Sequence, residues 1–382
     1  MLFPQPDAGK RSTTHLWAVF IAYVLLLLSQ CMCVPLRPFD EPLWYRRCCR
    51  WPTEVNEPWL YKIAIDVPAL NRWLYGGALR LCGLTGLPCP KADYSVSEKR
   101  NLTEGRIAPW EAVMVMRSVN VLSFVGAVLP LYVVAWLILR SRAWAVVALL
   151  PLAFSKNIVL HIVPRVGPDA LLAFTLSATL AAWVAWHLKG EGTTLKAVIL
   201  LGALAGLATG TKLNGGLLVL AFCAYLVTSC KGWQRLWKPI LAGASAFVAF
   251  SLINPVVIMG RAPFYQVLVD MVRRRFVVIA GSNERAGPMS FIQFANSALP
   301  TWPMLPALAA GFIACRREGW FPPVAWWTAF LTLGTFFGIN RPFPRYLGPL
   351  EIGLYFPAAL CISFLASRAI NKNRRTPQPD NP

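Results

Sequence analysis

The stretch Trp17–Glu41, WAVFIAYVLLLLSQCMCVPLRPFDE, sets the class of the molecule. From Trp17 to Val34 it carries no charge and is long enough to cross a bilayer as a helix. Six positions later come Asp40 and Glu41. An acidic pair therefore stands where apolar chain gives way to water and lipid headgroups.

Working outward, the rest of the 382 residues repeats this pattern of apolar runs broken by polar turns. Hydrophobic residues make up 56% of the chain, charged residues only 14%, and mean hydropathy is +0.51. That is too apolar for a soluble domain and predicts an all-α polytopic bundle of about ten spans whose single core lies in the membrane. Spans are predicted near 15–34, 113–139, 143–162, 168–188, 195–211, 213–230, 239–260, 299–315, 321–339 and 346–367. The net charge of +20 comes as short Lys and Arg clusters between apolar runs. This distribution favours anionic headgroups and phosphates over nucleic acid as partners.

The clusters also orient the chain. Lys10 and Arg11, Arg140 and Arg142, Lys189 and Lys196, Lys231 with Arg235 and Lys238, Arg316 and Arg317, and Arg368 with Lys372, Arg374 and Arg375 all fall on one side of the predicted bundle. The positive-inside rule makes that side the cytoplasm. The other connections face outward: loop 35–112, the turns around His161–Pro168 and Lys212, loop 261–298, and the turn Asn340–Arg345. Lys10 and Arg11 before the first span resemble a signal sequence without a small-residue cleavage site, which reads as a retained anchor. Residues 1–367 are expected to form one integral membrane domain, and 368–382 a polar cytoplasmic tail.

Two outer segments show helical periodicity. After Asp66 and Pro68, the residues Leu70, Trp73, Leu74, Gly77, Ala78 and Leu81 share a face, with Arg72 and Arg80 off it. Phe264, Val267, Leu268, Met271, Val272 and Phe276 share another, with Arg273, Arg274 and Arg275 at its end. Both read as amphipathic helices at the membrane interface, with plain capping of the bundle as the alternative. Most of the ten cysteines sit in or beside spans as small packing residues. Cys48, Cys49, Cys82 and Cys89 share the first outer loop, where Cys82 and Cys89 could pair if the compartment is oxidising.

The outward-facing residues suggest chemistry only as a set. In FDEPLWYRR (39–47), Pro42 stiffens the chain, Trp44 and Tyr45 offer stacking surface, and the acidic pair is either a solvated loop charge or holds a general base. Arg165 and Asp169 flank a turn in HIVPRVGPDALLAF (161–174), where helix capping alone would account for Asp169. Lys212 lies between two apolar spans in GLATGTKLNGG (206–216), where an ionisable group faces a cavity or a partner. Arg341 and Arg345 border the last outer turn in NRPFPRY, and either could snorkel to the interface. A carboxylate and several cations on one face suit transfer from a lipid phosphate, the cations taking the growing charge of the leaving group.

In this order the acidic pair, IDVPALNRWL (65–74), HIVPRVGPDALLAF, GLATGTKLNGG, SLINPVVIMGRAPF (251–264) and NRPFPRYLGPL (340–350) resemble the GT-C glycosyltransferases. The branch most similar is that of the protein O-mannosyltransferases and aminoarabinose transferases. The resemblance spans about residues 15–360 and rests on order and topology, since each motif is short. It implies a bacterial inner-membrane enzyme that moves a sugar from a polyprenyl phosphate to an acceptor hydroxyl outside the cytoplasm, with inversion. The partners it implies are a polyprenyl-phosphate sugar donor and a glycan, lipid or protein acceptor. Asp40 would be the base and Glu41 would position a substrate, with Arg165, Asp169, Lys212 and Arg345 around the donor phosphate. Where that branch often has Asp-His-Pro-Pro, this chain has Asp66, Val67, Pro68 and Ala69, so no histidine role carries over. No metal-ligand spacing is present on the outer side, so no metal or other cofactor is expected beyond a weak divalent ion at Asp40 and Glu41.

Two other classes compete. A flippase or transporter for a lipid-linked substrate would carry coupling carboxylates at membrane depth and inverted repeats, whereas these spans are nearly free of Asp and Glu. A membrane scaffold would leave the outer charges without a role.

Overall fold

A computed structural model of the chain describes residues 10–34, 40–50, 69–90, 93, 96–153, 155, 158–254, 304–338 and 348–373. Among these, regular structure is helical throughout. Among the described residues, four helices are long and apolar enough to cross a membrane, within Trp110–Leu139, Asp169–Leu188, Gln234–Ile253 and Glu351–Ile370. Shorter apolar helices pack beside them.

The chain opens with α1 (Lys10–Cys33) and, on the far side of the membrane run, α2 (Asp40–Arg50) and α3 (Ala69–Leu81). A short α4 (Glu98–Thr103), capped by the Ser97 hydroxyl, leads to the 30-residue α5 (Trp110–Leu139). Arg140 ends α5 in the left-handed region at φ 54°, its N–H bonded to Trp136 O. Then follow α6 (Arg142–Val147), α7 (Leu150–Ala153) and a π-turn (Ile158–Ile162). Beyond them come α8 (Asp169–Leu188), α9 (Leu195–Thr211), α10 (Leu217–Ser229) and α11 (Gln234–Ile253). The last elements are α12 (Met304–Cys315), α13 (Phe321–Gly338) and α14 (Gly348–Asn373).

Short turns and polar contacts gather the basic clusters at one end. Lys238 Nζ donates to Thr193 O at 2.6 Å, and Arg368 pairs with Glu318 through two bonds of 2.7 and 3.1 Å. His187 Nε2 donates to Gly319 O at 2.7 Å, and its Nδ1 lies 2.7 Å from the Tyr225 hydroxyl. Inside the bundle, Trp183 meets Phe222 and Tyr225 edge-on, joining α8 to α10. The outward side is apolar: Leu122, Ile240, Leu252 and Ile313 are all exposed, as surfaces bathed in hydrocarbon should be.

The tightest seam is between α9 and α11. A Cβ on Gly202 would lie 2.5 Å from Ala242 O, and one on Gly206 would strike the Ala246 carbonyl. Small residues let membrane helices approach to backbone contact, where dispersion replaces the hydrophobic drive that lipid does not supply.

The predicted spans are helical with three differences. The one expected over 143–162 is broken into α6, α7 and the π-turn, because Pro151 lacks an N–H and the Ser155 hydroxyl caps the next turn at Ile158 N, 3.3 Å away. The span expected to reach residue 260 leaves the helix at Asn254, which precedes a proline and caps Phe250 O with its amide. Residues 255–303, including the second amphipathic segment, lie outside the described residues. At the other end α14 continues to Asn373, into what reads from sequence as a tail.

The first amphipathic helix forms as α3, with its faces placed for a membrane rather than a soluble core. Asn71, Arg72, Tyr75 and Leu79 are buried against the bundle, while Trp73, Leu74 and Leu81 of the apolar stripe are exposed. Asp66 and Pro68 lie outside the described residues.

Candidate functional site

At the end opposite the basic clusters, α3 lies across the ends of α9 and α11. Its first N–H donates to Asn254 Oδ1 at 2.7 Å, Asn71 Nδ2 to Thr211 O at 2.8 Å, and Trp73 Nε1 to Ile253 O at 3.2 Å. The last two bonds satisfy helix-terminal carbonyls of α9 and α11 that would otherwise be orphaned.

Tyr75, on the next turn, reaches the turn between the π-turn and α8. Its hydroxyl is shared between Asn120 Oδ1 and Gly167 O, the latter at 2.6 Å, and accepts from Gly167 N at 3.3 Å. Asn120 Nδ2 in turn donates to Arg165 O. Burial holds the Tyr75 phenol above its ordinary range, so it stays a neutral donor. One tyrosine and one asparagine thus fix the backbone on both sides of Val166, setting Arg165 and the start of α8.

Asp169 occupies the first turn of α8, where the helix dipole favours its charge. Its Oδ1 is 2.5 Å from Lys212 Nζ, with side chains 8% and 12% exposed. Lys212 can aim at Asp169 because α9 stops at Thr211 and the chain folds back at once into the tight turn Leu213–Gly216. Gly215 lies so close to Ala208 and Thr209 that a Cβ would overlap their backbone.

The acidic pair has a separate setting. Arg117, fully buried on α5, donates from Nε and Nη2 to Glu41 Oε1 at 3.0 and 2.7 Å, and from Nη1 to Cys31 O and Val34 O at 2.6 and 2.7 Å. It therefore caps the end of α1 and ties that end to the first turn of α2. Trp44 of α2 meets Tyr75 of α3 edge-on with centroids 5.6 Å apart, which links this corner to the Asp169 turn.

Among the residues expected from sequence, Asp169 and Lys212 are brought into direct contact and Arg165 lies in the turn that leads to Asp169. Glu41 is buried and holds Arg117. Asp40 begins α2, and its side chain lies outside the described residues, as do Arg341 and Arg345. Cys82 and Cys89 are separate free thiols, Cys82 exposed and Cys89 against α2. Among the described residues no group of three or more His, Cys, Asp or Glu gathers as for a metal.

Sequence reasoning missed Arg117, Asn120, Tyr75 and the pair Ser155–Glu351, whose side chains bond at 2.6 Å within the bundle. A signal was present for three of them. Arg117 and Asn120 are polar residues one turn apart inside a predicted span, and Glu351 is a carboxylate inside another.

Residues 111–259 match the family model described as dolichyl-phosphate-mannose-protein mannosyltransferase. Solved structures match nearly the whole chain. ArnT from Cupriavidus metallidurans bound to undecaprenyl phosphate superposes with a TM-score of 0.58 at 19% identity, over 94% of this chain and 62% of that one. In the apo state it gives 0.59 at 16% identity over the same shares. The chain has the GT-C fold.

A more distant GT-C structure, the Archaeoglobus fulgidus oligosaccharyltransferase AglB in complex with an inhibitory peptide and a dolichol-phosphate, gives 0.54 at 12% identity over 96% of this chain and 52% of that one. The chain therefore spans between half and two thirds of the length of these GT-C proteins. No curated protein sequence matches it. The family match begins at α5 and takes in Arg117, Asn120, Arg165, Asp169 and Lys212 but not Asp40 and Glu41.

Proposed function

We propose that this protein is an integral membrane glycosyltransferase that moves a sugar from a polyprenyl-phosphate donor to an acceptor hydroxyl on the extracytoplasmic side. The observation that carries the reading is the Asp169–Lys212 pair beside Arg165, held under α3 in a fold shared with a protein solved bound to undecaprenyl phosphate. The side is inferred from the basic clusters at the opposite end, which the positive-inside rule places in the cytoplasm.

In this mechanism Asp40 accepts the proton of the acceptor hydroxyl as its oxygen attacks the anomeric carbon. The bond from that carbon to the phosphate oxygen breaks, and its electron pair leaves with the polyprenyl phosphate. Attack opposite the leaving group inverts the anomeric centre in one displacement. Lys212 and Arg165, with Arg345, stabilise the charge growing on the phosphate. Asp169 orients the Lys212 ammonium, and Glu41 with Arg117 fixes the helix that begins at Asp40.

The test is to purify the protein in detergent, offer a panel of polyprenyl-phosphate sugars with glycan, lipid and peptide acceptors, and follow both by mass spectrometry. The expected result is one donor consumed, polyprenyl phosphate released and one acceptor heavier by a sugar residue. Folded protein that consumes no donor would overturn the proposal.

A further inference from the structure

The segment that follows α3 runs along α2 and brings two thiols to one tyrosine. Tyr45, 2% exposed, donates its hydroxyl to Leu84 O at 2.6 Å and accepts from Leu87 N at 3.1 Å. Cys49, one turn further along α2, lies against that same hydroxyl. Cys89, two residues past Leu87, places its Sγ 3.9 Å from Pro42 O. Pro42, Tyr45 and Cys49 share one face of α2 by helical spacing, so residues 84–89 lie along that face. Both cysteines pack against the apolar cluster that contains Trp44, Tyr45, Tyr75 and Leu79.

The other two cysteines of this region are placed differently. Cys48 is fully buried on the side of α2 facing α3, where a Cβ on Gly76 would come within 2.7 Å of its carbonyl oxygen. Cys82 is exposed just past the end of α3. Cys49 and Cys89 are both half-buried free thiols.

We propose that Cys49 and Cys89 are a disulfide-forming pair that staples residues 84–89 to the helix that starts at Asp40. The proposal rests on the reading that this end of the molecule is extracytoplasmic, where disulfides persist. The oxidant is a protein disulfide of the compartment. One thiolate attacks that disulfide and releases one of its sulfurs, and the second thiolate displaces the other. Two S–H bonds are lost, one S–S bond forms, and two electrons and two protons leave with the oxidant, now a dithiol. Burial raises both thiols above their ordinary range, so the exchange needs a catalysed partner. The staple would tie the last turn of α2 to the segment that follows α3.

The experiment traps thiols with a maleimide in intact cells that express the full chain, then digests the purified protein with trypsin without reductant. Trypsin leaves Cys48 with Cys49 and Cys82 with Cys89, so the digest is also made in a Cys48→Ala/Cys82→Ser background. The expected result is a linked fragment joining 48–50 to 81–91, retained in that background and lost completely on adding Cys49→Ser. In wild type, a membrane-impermeant maleimide applied to intact cells reads the side through exposed Cys82. Trapped free thiols at Cys49 and Cys89 with Cys82 labelled from outside would overturn the pairing and leave the proposed function standing. Labelling of Cys82 only after permeabilisation would overturn both.

Discussion

Arg117 lies fully buried where α1, α2 and α5 meet, and a guanidinium taken out of water is tolerated only when its donors are engaged. Glu41 and the carbonyls of Cys31 and Val34 at the end of α1 do that. Arg117→Met should therefore lower stability by about 3–5 kcal/mol, since it strands a buried carboxylate. A thermal melt in detergent reads this, and Arg117→Met with Glu41→Leu should recover part of the loss. Lys212 is a different case, because Asp169 keeps the N-terminal dipole of α8 when the lysine is gone. Lys212→Met should fold, while kcat falls about 10²–10³-fold and Lys212→Arg restores part of it. The contrast shows what sequence can reveal about single residues. A charge inside an apolar run was visible at Arg117, but its partner lies 76 positions away, beyond any local pattern.

At the scale of elements, α3 holds the Asp169 turn through the Tyr75 hydroxyl. Tyr75→Phe leaves the Asn120 amide and the Gly167 backbone without it, at roughly 1–3 kcal/mol. The expected outcome is a lower melting point together with weaker donor binding, and unchanged donor affinity would separate α3 from the site. The α9–α11 seam gives a second prediction. Gly206→Val must push the helices apart at Ala246, and the variant should melt well below wild type or fail to express. Helices such as α5 and α8 could be placed from sequence because a long apolar run has few alternatives in a bilayer. The break in the third span had a local signal in Pro151, but the Ser155–Glu351 bond that accompanies it joins positions 196 apart and could not be read from sequence. For α3 the periodicity located the helix, but the facing was settled by Asn71 and Tyr75 finding partners in other elements.

At the scale of the molecule, alternating short turns collect the basic clusters of the connections at one end and leave the other to α2, α3 and the Asp169–Lys212 pair. This division was legible in the order of the basic clusters, and the GT-C resemblance was legible in the order of short motifs. The convergence of Trp44, Tyr75, Asn120 and Gly167 was not, since it depends on how α2, α3, α5 and the turn before α8 pack. It is this packing that sets the helix beginning at Asp40 beside the turn bearing Arg165. The most direct measurement of that arrangement is the rate of polyprenyl-phosphate release by Asp40→Asn at saturating donor, alongside donor binding and melting temperature. The account predicts a rate about 10²–10⁴-fold below wild type, with binding and melting unchanged. A rate within a few-fold of wild type would contradict it.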